Sequence, residues 1–258
     1  MLREPARPGV YSLASHLSPI GRRMIPLRDD NPSSRPPVVT IAFIVLCVLV
    51  FLWQFSLGQE GGERLIYALG VIPASLFGNV QLPPELALVS PALTPLTSMF
   101  MHGGWMHLIG NMLYLWIFGD NVEDSMGRVR YAIFYVLCGL AAVFAQALPD
   151  PTSRIPMVGA SGAISGVLGA YVLLYPHARV LVVIPLGFVM QTMHLPAGIV
   201  LALWFGLQLL SSMTQAGEGG VAFGAHIGGF VAGMLLIGLF KRRDVRLMNP
   251  ARARRVGY

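Results

Sequence analysis

The chain has 258 residues, of which 55% are hydrophobic and only 12% charged, with a formal net charge of +6. That balance excludes an ordinary soluble globular domain and reads as one integral membrane domain with polar tails. The basic excess sits at the two ends and faces no aromatic or glycine-rich reading motif, so no nucleic acid is expected as a partner.

In chain order, residues 1–37 are polar and rich in Pro and Arg, and read as a disordered basic tail. The apolar run that follows is about 20 residues long, too long for the core of a cleaved signal peptide. Six runs can each cross about 30 Å of hydrocarbon at about 1.5 Å per residue. They cover roughly 38–57, 98–119, 131–148, 158–175, 195–213 and 221–240, which predicts an all-α integral membrane protein with six transmembrane helices. The first, third and fifth are dominated by Leu, Val, Ile and Phe. The second, fourth and sixth carry nearly all the unusual polar and glycine residues.

Cys47 and Cys138 fall inside apolar runs and read as packing residues. Residues 58–97 contain Pro73, Pro83, Pro84, Pro91 and Pro95 among many apolar residues. Plain solvent-exposed coil does not account for such a stretch, and a fold-back onto the membrane surface does. Residues 178–194 are apolar but broken by proline and glycine, and read as an interfacial segment before the fifth span. Residues 241–258 read as a second basic tail.

With both termini on one side, 16 of the 18 Lys and Arg residues share that side, leaving only Arg64 and Arg154 opposite. The positive-inside rule then predicts a multi-pass protein of the cell inner membrane with both termini cytoplasmic. The second, fourth and sixth spans run from outside to inside. His107 and Asn111 lie about 9 to 13 residues into the second span, Ser161 about 3 into the fourth and His226 about 5 into the sixth. All four therefore fall in or near the outer half of the bilayer, and polar side chains there are expensive unless they serve a function.

Helix geometry adds faces to these depths. His107 and Asn111, four apart, share one side of their helix. Ser161, Gly162, Ser165, Gly166 and Gly169 form a small-residue stripe on the fourth span, and Gly229 and Gly233 lie on the face of His226. Gly159, Gly162, Gly166, Gly229 and Gly233 are the expected close-packing positions, because small stripes let membrane helices approach backbone to backbone. The same spacing by itself signifies only packing, and a lone serine often bonds its own helix. His102, five residues from His107 and so about 140° round the helix, reads as a proton relay, a buried hydrogen-bond partner or simply a residue at the outer boundary.

Brought together, Ser161 and His226 would make a nucleophile and its base, with Asn111, His107 and backbone N–H groups near Ser161 as oxyanion donors. No acid is linked to His226 by a motif, so a Ser–His dyad is the reading. No HExxH or paired-acid arrangement appears in the spans, and no metal or other cofactor is expected.

At these residues the chain resembles the rhomboid family of intramembrane serine proteases. Three blocks carry the likeness: His102-Gly103-Gly104-Trp105-Met106-His107-Leu108-Ile109-Gly110-Asn111 continuing to Gly119-Asp120-Asn121-Val122-Glu123, the Gly-Ala-Ser-Gly block at Ser161, and Ala225-His226-Ile227-Gly228-Gly229. It implies a rhomboid-like bundle over 38–240, in its basic six-span bacterial form. Ser161 would be the nucleophile, His226 the base, and His107 with Asn111 would surround the oxyanion. It also implies that 58–97 is a membrane-associated loop, that Glu123 is structural, and that the partners are the lipid bilayer and transmembrane protein substrates cut near the outer end of their helix. Some well-known members place an aromatic ring one turn after the nucleophile, stacked on the histidine; here that position is Ser165. The competing readings are an inactive relative that binds and escorts membrane proteins, and a small-solute transporter. The transporter is opposed by polar residues clustered at one depth and by the lack of an inverted repeat.

Overall fold

The computed structural model describes residues 25–186, 189–214 and 223–248. The rest of both tails, and residues 187–188 and 215–222, lie outside these. The elements are β1 (Ile25–Asp29), α1 (Val38–Ser56), α2 (Gly58–Leu69), α3 (Pro73–Leu76), α4 (Thr94–Thr97), α5 (Trp105–Met126), α6 (Arg128–Ala147), α7 (Ser161–Leu174), β2 (Arg179–Leu186), β3 (Val189–Pro196), α8 (Ala197–Thr214) and α9 (Phe223–Phe240).

Helices α1, α6 and α9 are each long and apolar enough to cross a membrane. Together with α5, α7 and α8 they build a multi-pass helical membrane domain. Helix α7 is its centre: every residue from Gly162 to Tyr171 is buried. The outer helices do the opposite, exposing Phe55 (61%), Leu235 (74%) and Leu239 (79%). Large apolar side chains on an outer surface suit hydrocarbon rather than water.

The second span is displaced from its expected position, running over Trp105–Met126 rather than 98–119. Ser98–Phe100 is a 3-10 turn, and the extended Gly104 delays the helix. At the other end the helix runs through residues that hydropathy discounts, because their side chains have partners. The Glu123 carboxylate accepts from the N–H groups of Val39 and Thr40 (3.0 and 2.8 Å) and from the Thr40 hydroxyl (2.9 Å). These backbone donors sit in the first turn of α1, which has none of its own carbonyls to offer them. Asp124 likewise accepts from the N–H and hydroxyl of Ser34.

Within the tail expected to be disordered, residues 25–37 carry strand β1 and fixed contacts to the bundle, and the segment expected to be interfacial is a β-hairpin. Strand β1 pairs antiparallel with β2, and β2 with β3. Pro26 is tolerated because β1 is an edge strand, and the register shifts between Pro26 and Arg28. Beyond the sheet, Tyr171 of α7 donates its hydroxyl to Asp29 (2.5 Å), the Asn121 amide of α5 donates to Asp29 (3.1 Å), and Asn31 donates to Asn121 (2.6 Å). The segment after α9 returns to the same end, where the Arg242 N–H donates to Ser125 and the Met248 N–H to Leu173. Arg28, Arg35, Arg128, Arg179 and Arg242 are thereby gathered at one end of the bundle.

At the opposite end, residues 58–97 are largely organised as α2, α3, a 3-10 turn at Pro91–Leu93 and α4. Val71 pairs with Met157, and the Thr97 hydroxyl donates to the Leu69 carbonyl (2.6 Å). This loop therefore buttresses the strand-like stretch that leads into α7.

Candidate active site

Helix α7 begins at Ser161 itself. Gly159 adopts φ +130°, a region that L side chains rarely enter, and its N–H donates to the Ser98 carbonyl (2.9 Å). The turn this makes leaves Ser161 at the helix N-terminus, where the first N–H groups lack intrahelical acceptors and favour negative charge. Ser161 is half-buried, and its Oγ lies 2.9 Å from Nε2 of His226 on α9.

Backbone contact between α7 and α9 sets that distance. A Cβ on Gly229 would collide with the Gly162 carbonyl oxygen, one on Gly233 with that of Gly166, and one on Gly169 with that of Phe230. Gly162 and Gly166 also fit against Ala142 and Cys138 of α6, which packs on α9 as well. The first turn of α9 is held by Gln146 of α6, whose side-chain carbonyl accepts from the Ala225 N–H (3.2 Å), one residue before His226.

His107 completes the cluster from α5. Its Nδ1 accepts from the Gly103 N–H (3.2 Å), so in the neutral ring the proton resides on Nε2. That edge lies over Gly159: a Cβ there would be 2.8 Å from both Cε1 and Nε2 of His107, and 3.6 Å from the Ser161 oxygen. A donor edge therefore faces the first turn of α7 beside the Ser161 hydroxyl. Asn111, one turn along α5, is buried and donates one amide hydrogen to the His107 carbonyl (2.9 Å), bonding its own helix.

His102 stands just outside the start of α5. It is fully buried, and sets its ring edge-on to His107 at 5.3 Å. Ser165 is also buried and donates its hydroxyl to the Ser161 carbonyl (2.7 Å). Sequence reasoning passed over Gln146 and Trp204. The Trp204 ring of α8 lies 5.9 Å from that of His226, and neither its residue type nor its spacing signals this. Among the described residues, no group of three His, Cys, Asp or Glu side chains could hold a metal ion.

Residues 92–243 match the family model described as the Rhomboid domain. Rhomboid protein 1, mitochondrial, of Saccharomyces cerevisiae is 28% identical over 196 residues, covering 70% of this chain and 54% of that protein. The Rhomboid protease GluP of Bacillus subtilis is 30% identical over 201 residues, covering 78% of this chain and 35% of its own length. Presenilin-associated rhomboid-like protein A, mitochondrial, of Danio rerio is 28% identical over 177 residues, or 60% and 43% of the two lengths. The chain thus spans about half or less of the length of each of these relatives. The matched segment runs from α4 through α9 and contains His107, Ser161 and His226, and the chain belongs to the rhomboid domain family.

Proposed function

We propose that the protein is an intramembrane serine endopeptidase that uses Ser161 and His226 as a catalytic dyad on transmembrane substrates. The observation that carries this reading is the 2.9 Å approach of the Ser161 hydroxyl to His226 Nε2 across the α7–α9 contact. That separation lies within direct proton-transfer reach.

In the proposed reaction, the Ser161 oxygen attacks the scissile carbonyl carbon as its proton passes to Nε2 of His226. The oxyanion is met by His107 Nε2–H, by N–H groups of the first turn of α7, and by the second amide hydrogen of Asn111. The imidazolium then returns the proton to the leaving amine, giving an acyl-serine and a shortened substrate. A water that gives its proton to His226 attacks the ester and restores the serine. Preorganised donors of this type are worth about 10²–10³ in turnover each.

The excess of Lys and Arg at the sheet end favours a cytoplasmic location for that end and both termini, in the cell inner membrane. The dyad would then open toward the outer face, and cleavage would fall near the outer end of a substrate helix. A helical peptide bond is shielded by its own hydrogen bonds. Substrates carrying Gly or Pro near the cut should therefore be cleaved faster than helix-strengthened versions.

The test is cleavage of a single-span reporter by purified protein, beside labelling with an alkyl fluorophosphonate. Ser161→Ala should abolish both, and His226→Ala should lower both at least 10³-fold. Full cleavage by either variant refutes the dyad. Wild-type protein that binds the reporter but neither cleaves nor takes label would instead identify an inactive escort.

A further inference from the structure

A base on one helix and a nucleophile on another work only if the imidazole is held at one rotation about its side chain. The serine oxygen meets one ring atom, and the rings packed beside the imidazole bear on its plane. The position one turn past Ser161 supplies no ring, because it is Ser165. Ser165 is buried with its hydroxyl turned back to its own helix, and its Cβ lies 3.3 Å from where a Cβ on Gly229 would be.

The ring surface comes from α8. Trp204 lies 5.9 Å from the His226 ring at 36°, and 6.2 Å from Phe230, one turn further along α9, again at 36°. Its neighbour Phe205 stacks on Phe230 at 4.4 Å and 23°, and Tyr114 of α5 approaches Trp204 at 6.5 Å. The indole is thus wedged between α5 and α9, with the imidazole along one side. Helix α8 is also tied at its base, where the Ala197 N–H donates to Ala178 (2.7 Å) and the Gly198 N–H to Pro176 (2.9 Å). Seven residues of helix, about 10 Å, separate that anchor from Trp204.

We propose that Trp204 is the positioning residue for the catalytic base: its indole holds the His226 imidazole in the plane that points Nε2 at Ser161. The inference rests on the Ser161–His226 dyad. It adds that the dyad is complete only while α8 is seated against α9.

The experiment uses the purified full-length protein and two readouts: the rate of fluorophosphonate labelling of Ser161, which needs the base but not a transmembrane substrate, and kcat and KM on a single-span reporter. Aromatic contacts of this kind carry about a two- to ten-fold effect. Trp204→Leu should therefore lower labelling rate and kcat by the same factor, about three- to ten-fold, and leave KM within about two-fold. Trp204→Phe, which keeps a flat face, should recover most of both. Should the leucine variant fail to fold, Trp204→Met supplies apolar bulk without a ring and takes its place. Labelling at the wild-type rate in Trp204→Leu, a change confined to KM, or equal losses in the leucine and phenylalanine variants would overturn the proposal. Wild-type protein that takes no label, with a Ser161→Ala variant that still cleaves, would remove the dyad itself and this inference with it.

Discussion

Gly159→Ala puts one methyl group between the proposed oxyanion donor and the nucleophile. The new Cβ would stand 2.8 Å from Cε1 and Nε2 of His107, where ordinary contact is about 3.5 Å or more. The imidazole must therefore withdraw by roughly 0.7 Å, or the turn must open. A displacement of that order costs about 10²-fold in rate, and outright loss of an oxyanion donor about 10²–10³. The backbone adds a second penalty, because φ +130° is a glycine region and alanine there costs about 1–3 kcal/mol. At about 2–4 °C per kcal/mol for a chain of this size, the melting temperature should fall by about 2–12 °C. Single-turnover reporter cleavage and a thermal melt in the same detergent separate the two effects. A double-mutant cycle identifies the mechanism: in a His107→Ala background the clash is gone, so Gly159→Ala should retain its stability cost but add less than about three-fold to the rate loss. Rate losses that multiply fully in the double variant would refute the idea that Gly159 acts through His107.

Three further outcomes follow from the fold. Burial, reinforced by Asp120 and Asp30, pushes the Asp29 carboxyl up from 3.8 to about 7 against the hydrogen bond it accepts from Tyr171. A raised acid favours the folded state most below about pH 4. That contribution is lost as pH climbs to about 7, by up to about 4 kcal/mol. Asp29→Asn should flatten this slope and melt higher than wild type at pH 7.5, and melting curves whose difference does not change with pH would contradict it. Gly233→Ala should cost about 1–3 kcal/mol, because its methyl group meets the Gly166 carbonyl, whereas Gly238→Ala on the same helix enters open space and should be neutral or stabilising; equal melting temperatures would contradict this packing account. Glu123→Gln replaces an acceptor of three bonds at the start of α1 with a side chain whose amide nitrogen cannot accept. It should lower stability by about 1–3 kcal/mol while leaving kcat within about two-fold, as read from melts and reporter kinetics.

The apolar runs and the residues that interrupt them were legible in the sequence because both signals are local. A helix in hydrocarbon needs a continuous apolar stretch, and Ser161, His226, His107 and Asn111 stand out against one. The limits of α5 were less legible, since hydropathy scores Asp120, Glu123 and Asp124 as solvent-seeking when Asn121, α1 and Ser34 supply their partners. Strand β1 was invisible for a related reason: Ile25–Asp29 is too short and too proline-broken to declare itself, and it exists only by pairing with β2, some 150 residues away.

Covalent order alone determined which residues are polar in an apolar setting, where glycine lets helices touch, and which end of the bundle carries the positive charge. Only the tertiary structure decided that His102 is buried, that Gly159 cradles His107, and that an indole from α8 lies beside the His226 ring. Periodicity and composition are properties of a segment by itself. A ring's neighbours depend on the angle and separation of helices that meet only after the chain has closed on itself, and no local pattern encodes those.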